Sequence, residues 1–366
     1  MSTPADKLRW GAPHLETVAP YVPGRSAQDV ERELGIDNAI KLASNECPTG
    51  ASPRALDAAR RALSESHRYP DDDVGALRER LAADHGVTAP EVVCGHGSNE
   101  LIDLLCRAVL PPDGHAIIGS PSFVAYGLAL QTTAAPYTVV PLRRGLFWDL
   151  DALLDAVTDA TRLIFIDSPN NPTSTHIPAD DLREFLSRVP PRVLVVVDEA
   201  YHHFADADDY GSAMHMRDTR ERLAVLRTFS KAHGLCALRV GYAVAPAPLC
   251  EYLQRLRLPF NVNAAGQAAA LASLDDPQHL ASYLTLNREQ RALLTGELSA
   301  RGWRVAPSQA NFLYATPTAP ASQVYEQLLA GGVIVRMVGK DLGLRISVGT
   351  AADNQRLLAR LDELGG

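Results

Sequence analysis

The run Val193-Leu-Val-Val-Val197 is apolar at every position and is followed at once by Asp198-Glu-Ala-Tyr201. A strand with no polar alternation must be covered on both faces, and such strands are the interior of parallel sheets flanked by helices. Further short apolar runs lie at Glu91–Cys94, Ala116–Gly119, Tyr137–Val140, Leu163–Ile166, Leu223–Arg227 and Gly241–Val244. Amphipathic stretches such as Glu100–Val109, Asp151–Val157 and Asp180–Arg188 alternate with them. The pattern predicts an α/β fold, with a mostly parallel seven-stranded sheet in a large domain.

Beyond about residue 260 the pattern changes. One long helical segment is expected over roughly Ala264–Arg301, followed by strand-like Trp303–Ala306, Asn311–Tyr314, Val333–Arg336 and Leu344–Val348, and a closing helix from Ala351. That grouping predicts a smaller α+β domain. The first 44 residues have too little apolar periodicity to stand alone and are expected to wrap onto the small domain or a neighbouring subunit. The expected division is therefore 45–260 for the large domain, and 1–44 with 261–366 for the arm and small domain.

Charge and cysteine usage remove several classes of function. The 366 residues carry 35 basic against 43 acidic side chains, a net charge of −8, with no basic cluster, which argues against nucleic acid as a partner. Cys47, Cys94, Cys106, Cys236 and Cys250 are scattered without C-x-x-C spacing and read as reduced thiols. There is no apolar run of membrane-spanning length and no leader pattern in Met1–Gly11, so a cytoplasmic location and no membrane partner are expected. No metal site is expected either: His202 and His203 are adjacent, so their side chains should diverge, and no further ligand sits at helical spacing beside them.

Only four of the 35 basic residues are lysine: Lys7, Lys41, Lys231 and Lys340. Arginine keeps its proton in proteins, whereas lysine can become a neutral nucleophile, so each lysine merits a chemical reading. Lys231 follows a strand and sits among Phe229, Ala232 and Leu235, where desolvation lowers an amine's pKa and favours Schiff-base chemistry. A snorkelling surface lysine is the bland alternative; scarcity and position weigh against it.

Ligands of open α/β sheets bind beyond the carboxyl ends of the strands. Gly95-His-Gly-Ser-Asn-Glu100 opens a helix there and could hold a phosphate, or be no more than a turn and cap. Phe123 and Tyr126 lie near the same edge, as a stacking face or as core filling. Ser168-Pro-Asn-Asn-Pro-Thr173 forms a tight turn that projects amides into the crevice. Asp198, at the end of a buried strand, needs a cation or strong donors, unless it merely caps the next segment. Together these describe a ligand with an aldehyde, a pyridinium nitrogen, a phenolic oxygen and a phosphate.

The segments Lys41–Glu46, Arg68–Asp71, Gly95–Glu100, Ser168–Thr173, Asp198–Tyr201, Arg227–Arg239, Asn311-Phe312, Val333–Arg336 and Leu344–Gly349 span nearly the whole chain. In them the sequence resembles the fold-type I pyridoxal-phosphate aminotransferases, most closely the histidinol-phosphate branch. The resemblance implies pyridoxal 5'-phosphate as cofactor, with Lys231 bonded to it and shuttling the substrate proton. It further implies that Asp198 faces the pyridine nitrogen, Tyr201 and Asn171 the phenolic oxygen, and Phe123 the ring. Ser98, Asn99, Ser230 and Arg239 would bind the phosphate, joined by Tyr69 from the other subunit of a homodimer. Arg336 and Arg345 would bind substrate anions, and Tyr21 would close over the substrate. The implied reaction exchanges an amino group between a small amino donor, histidinol phosphate, and 2-oxoglutarate. An aromatic amino acid aminotransferase, or a decarboxylase of a phosphorylated amino acid on the same fold, are the alternatives. A nucleotide-binding oxidoreductase fails on the missing third glycine after Gly95-His-Gly97. Cys47, Thr49, His96, Ser174 and Ala237 depart from the family pattern.

Overall fold

The computed structural model describes residues 11–144, 146–339 and 341–364. Lys7, Lys340 and the stretch before Gly11 lie outside the described residues. The strands, in chain order, are β1 (Ile40–Lys41), β2 (Val92–His96), β3 (His115–Ser120), β4 (Tyr137–Pro141), β5 (Thr161–Asp167), β6 (Leu194–Asp198), β7 (Leu223–Thr228) and β8 (Val240–Val244). They continue with β9 (Arg304–Val305), β10 (Phe312–Thr316), β11 (Val333–Ile334), β12 (Arg336–Val338) and β13 (Gly343–Ser347).

Seven strands form one sheet in the order β2-β8-β7-β6-β5-β3-β4. Only β8 runs antiparallel to its neighbours, so the expected mostly parallel seven-stranded sheet is the fold. Alternation along β6 explains its composition. Val195 and Val197 enter one core with Ile164, Ile166 and Val225, while Leu194 and Val196 enter the opposite core with Leu163, Phe165 and Leu226. Each buried aliphatic side chain is worth about 1.5–3 kcal/mol, and β6 places every one of its apolar residues in a core. The helix Gly97–Val109 covers the second face through Leu101, Ile102, Leu104 and Leu105.

A four-stranded antiparallel sheet, β12-β13-β10-β9, packs through Leu313, Leu344 and Ile346 against Leu294, Leu298 and Leu357 of neighbouring helices. The arm joins this region. Ser26 caps the helix Ala27–Leu34 by accepting from Asp29 N–H, Val30 packs on Ala43 and Ile334, and β1 pairs in parallel with β11.

Three expectations are corrected. The long helix is two helices, Ala264–Leu274 and Pro277–Ala300, because Asp276 accepts from His279 N–H as a cap and Pro277 starts a new first turn. The strand expected over Val333–Arg336 divides at Val335, β11 pairing with β1 and β12 with β13. His202 and His203 do not diverge: both lie in a 3₁₀ turn, and their ring centroids approach to 3.7 Å. Among the described residues no helix is long and apolar enough to cross a membrane.

Candidate active site

The parallel strands deliver their chemistry at their carboxyl ends, as the topology requires. Asp167 ends β5, Asp198 ends β6 and Thr228 ends β7, with Asp167 and Asp198 paired in register. A cavity of about 230 Å³ opens beyond these ends. Its lining includes Asp198, Tyr201, Lys231, Ser230, Arg239 and Asn171. Ser98, Asn99, Phe123, Tyr21, Arg336 and Arg345 complete the set of expected residues that it brings together. Tyr69 alone stands outside the cavity of its own chain: it is 81% exposed and stacks on Phe260 at 4.5 Å.

At the deep end, Asp198 is buried and both its oxygens are engaged. Oδ2 accepts from the Tyr126 hydroxyl (3.0 Å) and Oδ1 from Ala200 N–H (3.0 Å). The second bond is the cap weighed above, so Asp198 caps the next segment and lines the cavity at once. Burial pushes its carboxyl up to about 6, against the pull of those two bonds. Tyr126 fills the core, stacked on Phe165 with centroids 4.9 Å apart, while its hydroxyl reaches Asp198.

In the middle, Lys231 Nζ donates to the Ser44 carbonyl (3.2 Å) and lies 5.7 Å from the Tyr201 ring centroid. Burial, helped by the Arg345 charge, lowers its amine to about 8. The Tyr201 hydroxyl accepts from Asn45 Nδ2 (3.0 Å) and Asn171 Nδ2 (3.3 Å). Asn45, which the sequence reading did not single out, is fixed by the Ser347 hydroxyl on its Oδ1 and by Asn311 on its carbonyl.

At the third corner the first turn of helix Gly97–Val109 faces Arg239. The guanidinium bonds Ser230 Oγ (3.3 Å) and lies so close to Gly97 that a Cβ there would sit 2.3 Å from Nη2. A Cβ on Gly241 would sit 2.4 Å from Ser98 N, so two glycines keep this cradle open. Helix N–H groups, hydroxyls and a guanidinium make an anion site.

The mouth is different in kind. Arg345 donates to Asn171 Oδ1 and to the Ala43 carbonyl, both at 2.6 Å. Its buried Nε has no hydrogen-bond partner among the described residues, and no carboxylate there lies within ion-pair distance. Arg336 donates to the Val22 carbonyl (3.2 Å), beside Tyr21.

The departures have local explanations. Ser174 holds φ +63°, a left-handed position that glycine occupies without strain. Ala237 lies within the short turn Cys236–Leu238 and needs no such freedom. Cys47 bonds Thr49 and the Gly50 carbonyl and packs near Tyr201 and Phe312. The exposed His96 stands outside the cavity lining, its N–H donating to Glu100.

An amine, a buried acid and an anion cradle line one cavity, and the chain matches aminotransferase class I and II over residues 37–361, which makes it an enzyme of the aminotransferase class. The chain belongs to this family of pyridoxal-phosphate-dependent enzymes. It is 42% identical to histidinol-phosphate aminotransferase 2 of Pseudomonas aeruginosa, covering 98% of this chain and 99% of that one. It is likewise 42% identical to histidinol-phosphate aminotransferase of an Anaeromyxobacter species, over 97% and 98% of the two chains. The solved histidinol-phosphate aminotransferase of Sinorhizobium meliloti in complex with pyridoxal-5'-phosphate superposes with a TM-score of 0.89 at 25% identity, over 98% of each chain. The residues present fit that cofactor: the cradle kept open by Gly97 and Gly241 suits its phosphate, and the partnered acid Asp198 suits a cationic ring nitrogen.

Proposed function

We propose that this chain is a homodimeric, cytoplasmic enzyme exchanging the amino group between histidinol phosphate and 2-oxoglutarate, giving imidazole-acetol phosphate and glutamate. Pyridoxal 5'-phosphate, when bound, supplies a carbonyl that condenses with amines and a protonated ring that draws electrons from the substrate Cα. Lys231 would hold the cofactor and, once released by the incoming amine, take the Cα proton on Nζ. An amine lowered to about 8 is deprotonated often enough near neutral pH to serve as that base. Asp198 would hold the proton on the ring nitrogen, with Tyr126 and Ala200 N–H keeping the carboxylate oriented. Tyr201 and Asn171 would bind the phenolic oxygen, and Phe123 would cover the ring. Ser98, Asn99, Ser230 and Arg239 would hold the phosphate, completed by Tyr69 of a second copy. Tyr21 would exclude water at the mouth. The division into 45–260 and 1–44 with 261–366 belongs to the same reading.

The observation that carries the substrate reading is Arg345, a half-buried guanidinium lining Lys231's cavity, with a buried Nε that has no hydrogen-bond partner and no carboxylate in ion-pair distance among the described residues. With Arg336 it offers two cations to substrates that carry a carboxylate or a phosphate. Steady-state kinetics with 2-oxoglutarate test this, comparing histidinol phosphate with phenylalanine, tyrosine and aspartate as donors. Histidinol phosphate should have the highest kcat/KM. A far better aromatic donor would leave only the class, and carbon dioxide release without amino transfer would point to a decarboxylase.

A further inference from the structure

Asp167 is a second buried acid in the site, and the mechanism above gives it no task. It is 3% exposed, lines the cavity and pairs in register with Asp198 on the neighbouring strand. Two carboxyl groups side by side in a buried sheet edge oppose each other's ionisation. A turn that needed only a cap could use asparagine or serine without that cost.

The hydrogen bonds say why a carboxylate is there. Oδ2 accepts from Asn171 N–H (2.9 Å) and Oδ1 from Asn170 Nδ2 (2.7 Å). Those are two separate donors converging from the same turn, and only a carboxylate offers two acceptor oxygens. An amide in its place would turn an NH₂ toward one of them. The strand end itself is pinned by Trp148 Nε1, which donates to the Asp167 carbonyl (2.9 Å). What the turn presents is Asn171, and Asn171 is a junction. Its Nδ2 donates to the Tyr201 hydroxyl (3.3 Å), and its Oδ1 accepts from Arg345 Nη1 (2.6 Å).

We propose that Asp167 is a positioning residue of the transamination site, fixing Asn171 where it links Tyr201 on the cofactor side to Arg345 on the substrate side. The inference rests on the function proposed above and deepens it. The carboxylate touches neither substrate nor cofactor in this role; it sets the register of a side chain that bonds both Tyr201 and Arg345.

A double-mutant cycle on the cofactor-loaded enzyme tests it, using Asp167→Ala, Asn171→Ala and the two together. The readouts are the pH midpoint of the cofactor's visible absorbance, KM and kcat for the amino donor, and pyridoxal-phosphate affinity by fluorescence quenching of the apo-protein. If Asp167 acts through Asn171, each single variant raises KM by about tenfold, the scale of one charge-assisted hydrogen bond. Both then move the absorbance midpoint in the same direction, and the double variant goes no further than Asn171→Ala. Should Asp167→Ala not fold, Asp167→Asn replaces it in the cycle, with a smaller KM rise of about threefold because one acceptor remains. Effects that add, or an Asp167 variant with wild-type KM and midpoint, overturn the proposal even if thermal stability drops. The wild-type protein separates the two levels. If its absorbance does not respond to amino donors, the transamination reading and this inference fall together; if it responds and the cycle is additive, only the role of Asp167 falls.

Discussion

The two ends of the cavity are built on opposite plans. At the sheet end, Asp198 and Asp167 are almost wholly buried, and all four of their carboxyl oxygens accept hydrogen bonds, three from the turns that follow their own strands and one from Tyr126 on the neighbouring helix. At the mouth, Arg345 keeps a buried Nε without a partner among the described residues, and Tyr21 is 58% exposed. An unsatisfied buried N–H costs about 1–3 kcal/mol. The first end is complete before any ligand arrives, because rigid parallel strands set its geometry. On the proposed function the second would be completed by a substrate anion, which would recover the desolvation cost as binding energy and so select for charged substrates. A cofactor that stays belongs at the finished end, and substrates that come and go belong at the unfinished one.

The largest expected effect attacks the mouth. Arg345→Ala should lower kcat/KM for glutamate about 100-fold, from the loss of paired charge-assisted hydrogen bonds. Pyridoxal-phosphate affinity of the apo-protein should stay near wild type. Tyr126→Phe is the counterpart at the finished end. It removes one donor from Asp198 without opening a cavity beside Phe165. Cofactor affinity should fall about tenfold while KM for glutamate is unchanged. Equilibrium binding and steady-state kinetics on both variants check the pair. A common loss of cofactor affinity in both would mean that the two ends are one coupled unit.

Much of this was legible in the sequence, for reasons that particular residues make plain. The fully apolar β6 announces a central buried strand, and the carboxyl ends of such strands are where Asp198 and Lys231 were sought and found lining the cavity. Tyr126 reads from the sequence as a stacking face or as core filling; its hydroxyl matters only through a contact 72 positions away. From the sequence Asn45 is only a member of the segment Lys41–Glu46 and Asp167 carries no reading, since nothing local tells a capping side chain from one aimed into a cavity. That Arg345 Nε lacks a partner among the described residues is an absence, and no spacing rule encodes an absence. The division of Val333–Arg336 between two sheets depends on β1 and β13, each brought in from elsewhere in the chain. Ser174 was visible as a departure, yet the left-handed backbone it occupies, where glycine carries no strain, is set by the folded turn and not by local spacing.

The smallest expected effect separates the two ends by pH. In the apo-protein the Asp198 carboxyl is pushed up to about 6, from 3.8 in the unfolded chain, so between those values the folded state binds more protons than the unfolded one. Stability contributed by this group therefore falls as pH rises through that window. Half-buried His85 and buried His233, both lowered to about 4, work in the opposite direction between 4 and 6.5, so the wild-type curve alone mixes two signs. A difference curve removes the histidines. Asp198→Asn should gain about 1 kcal/mol on wild type between pH 5 and 6, and the gain should continue more slowly above that range, because burial, with the Asp198 charge adding to it, pushes the neighbouring Asp167 up to about 8. Arg345→Ala should run parallel to wild type across the same interval, because a guanidinium does not titrate there. Urea unfolding of the three apo-proteins at pH 5, 6 and 7 measures both differences. A flat Asp198→Asn difference would mean that the acid end is less desolvated than its geometry indicates, and the contrast with the mouth would weaken accordingly.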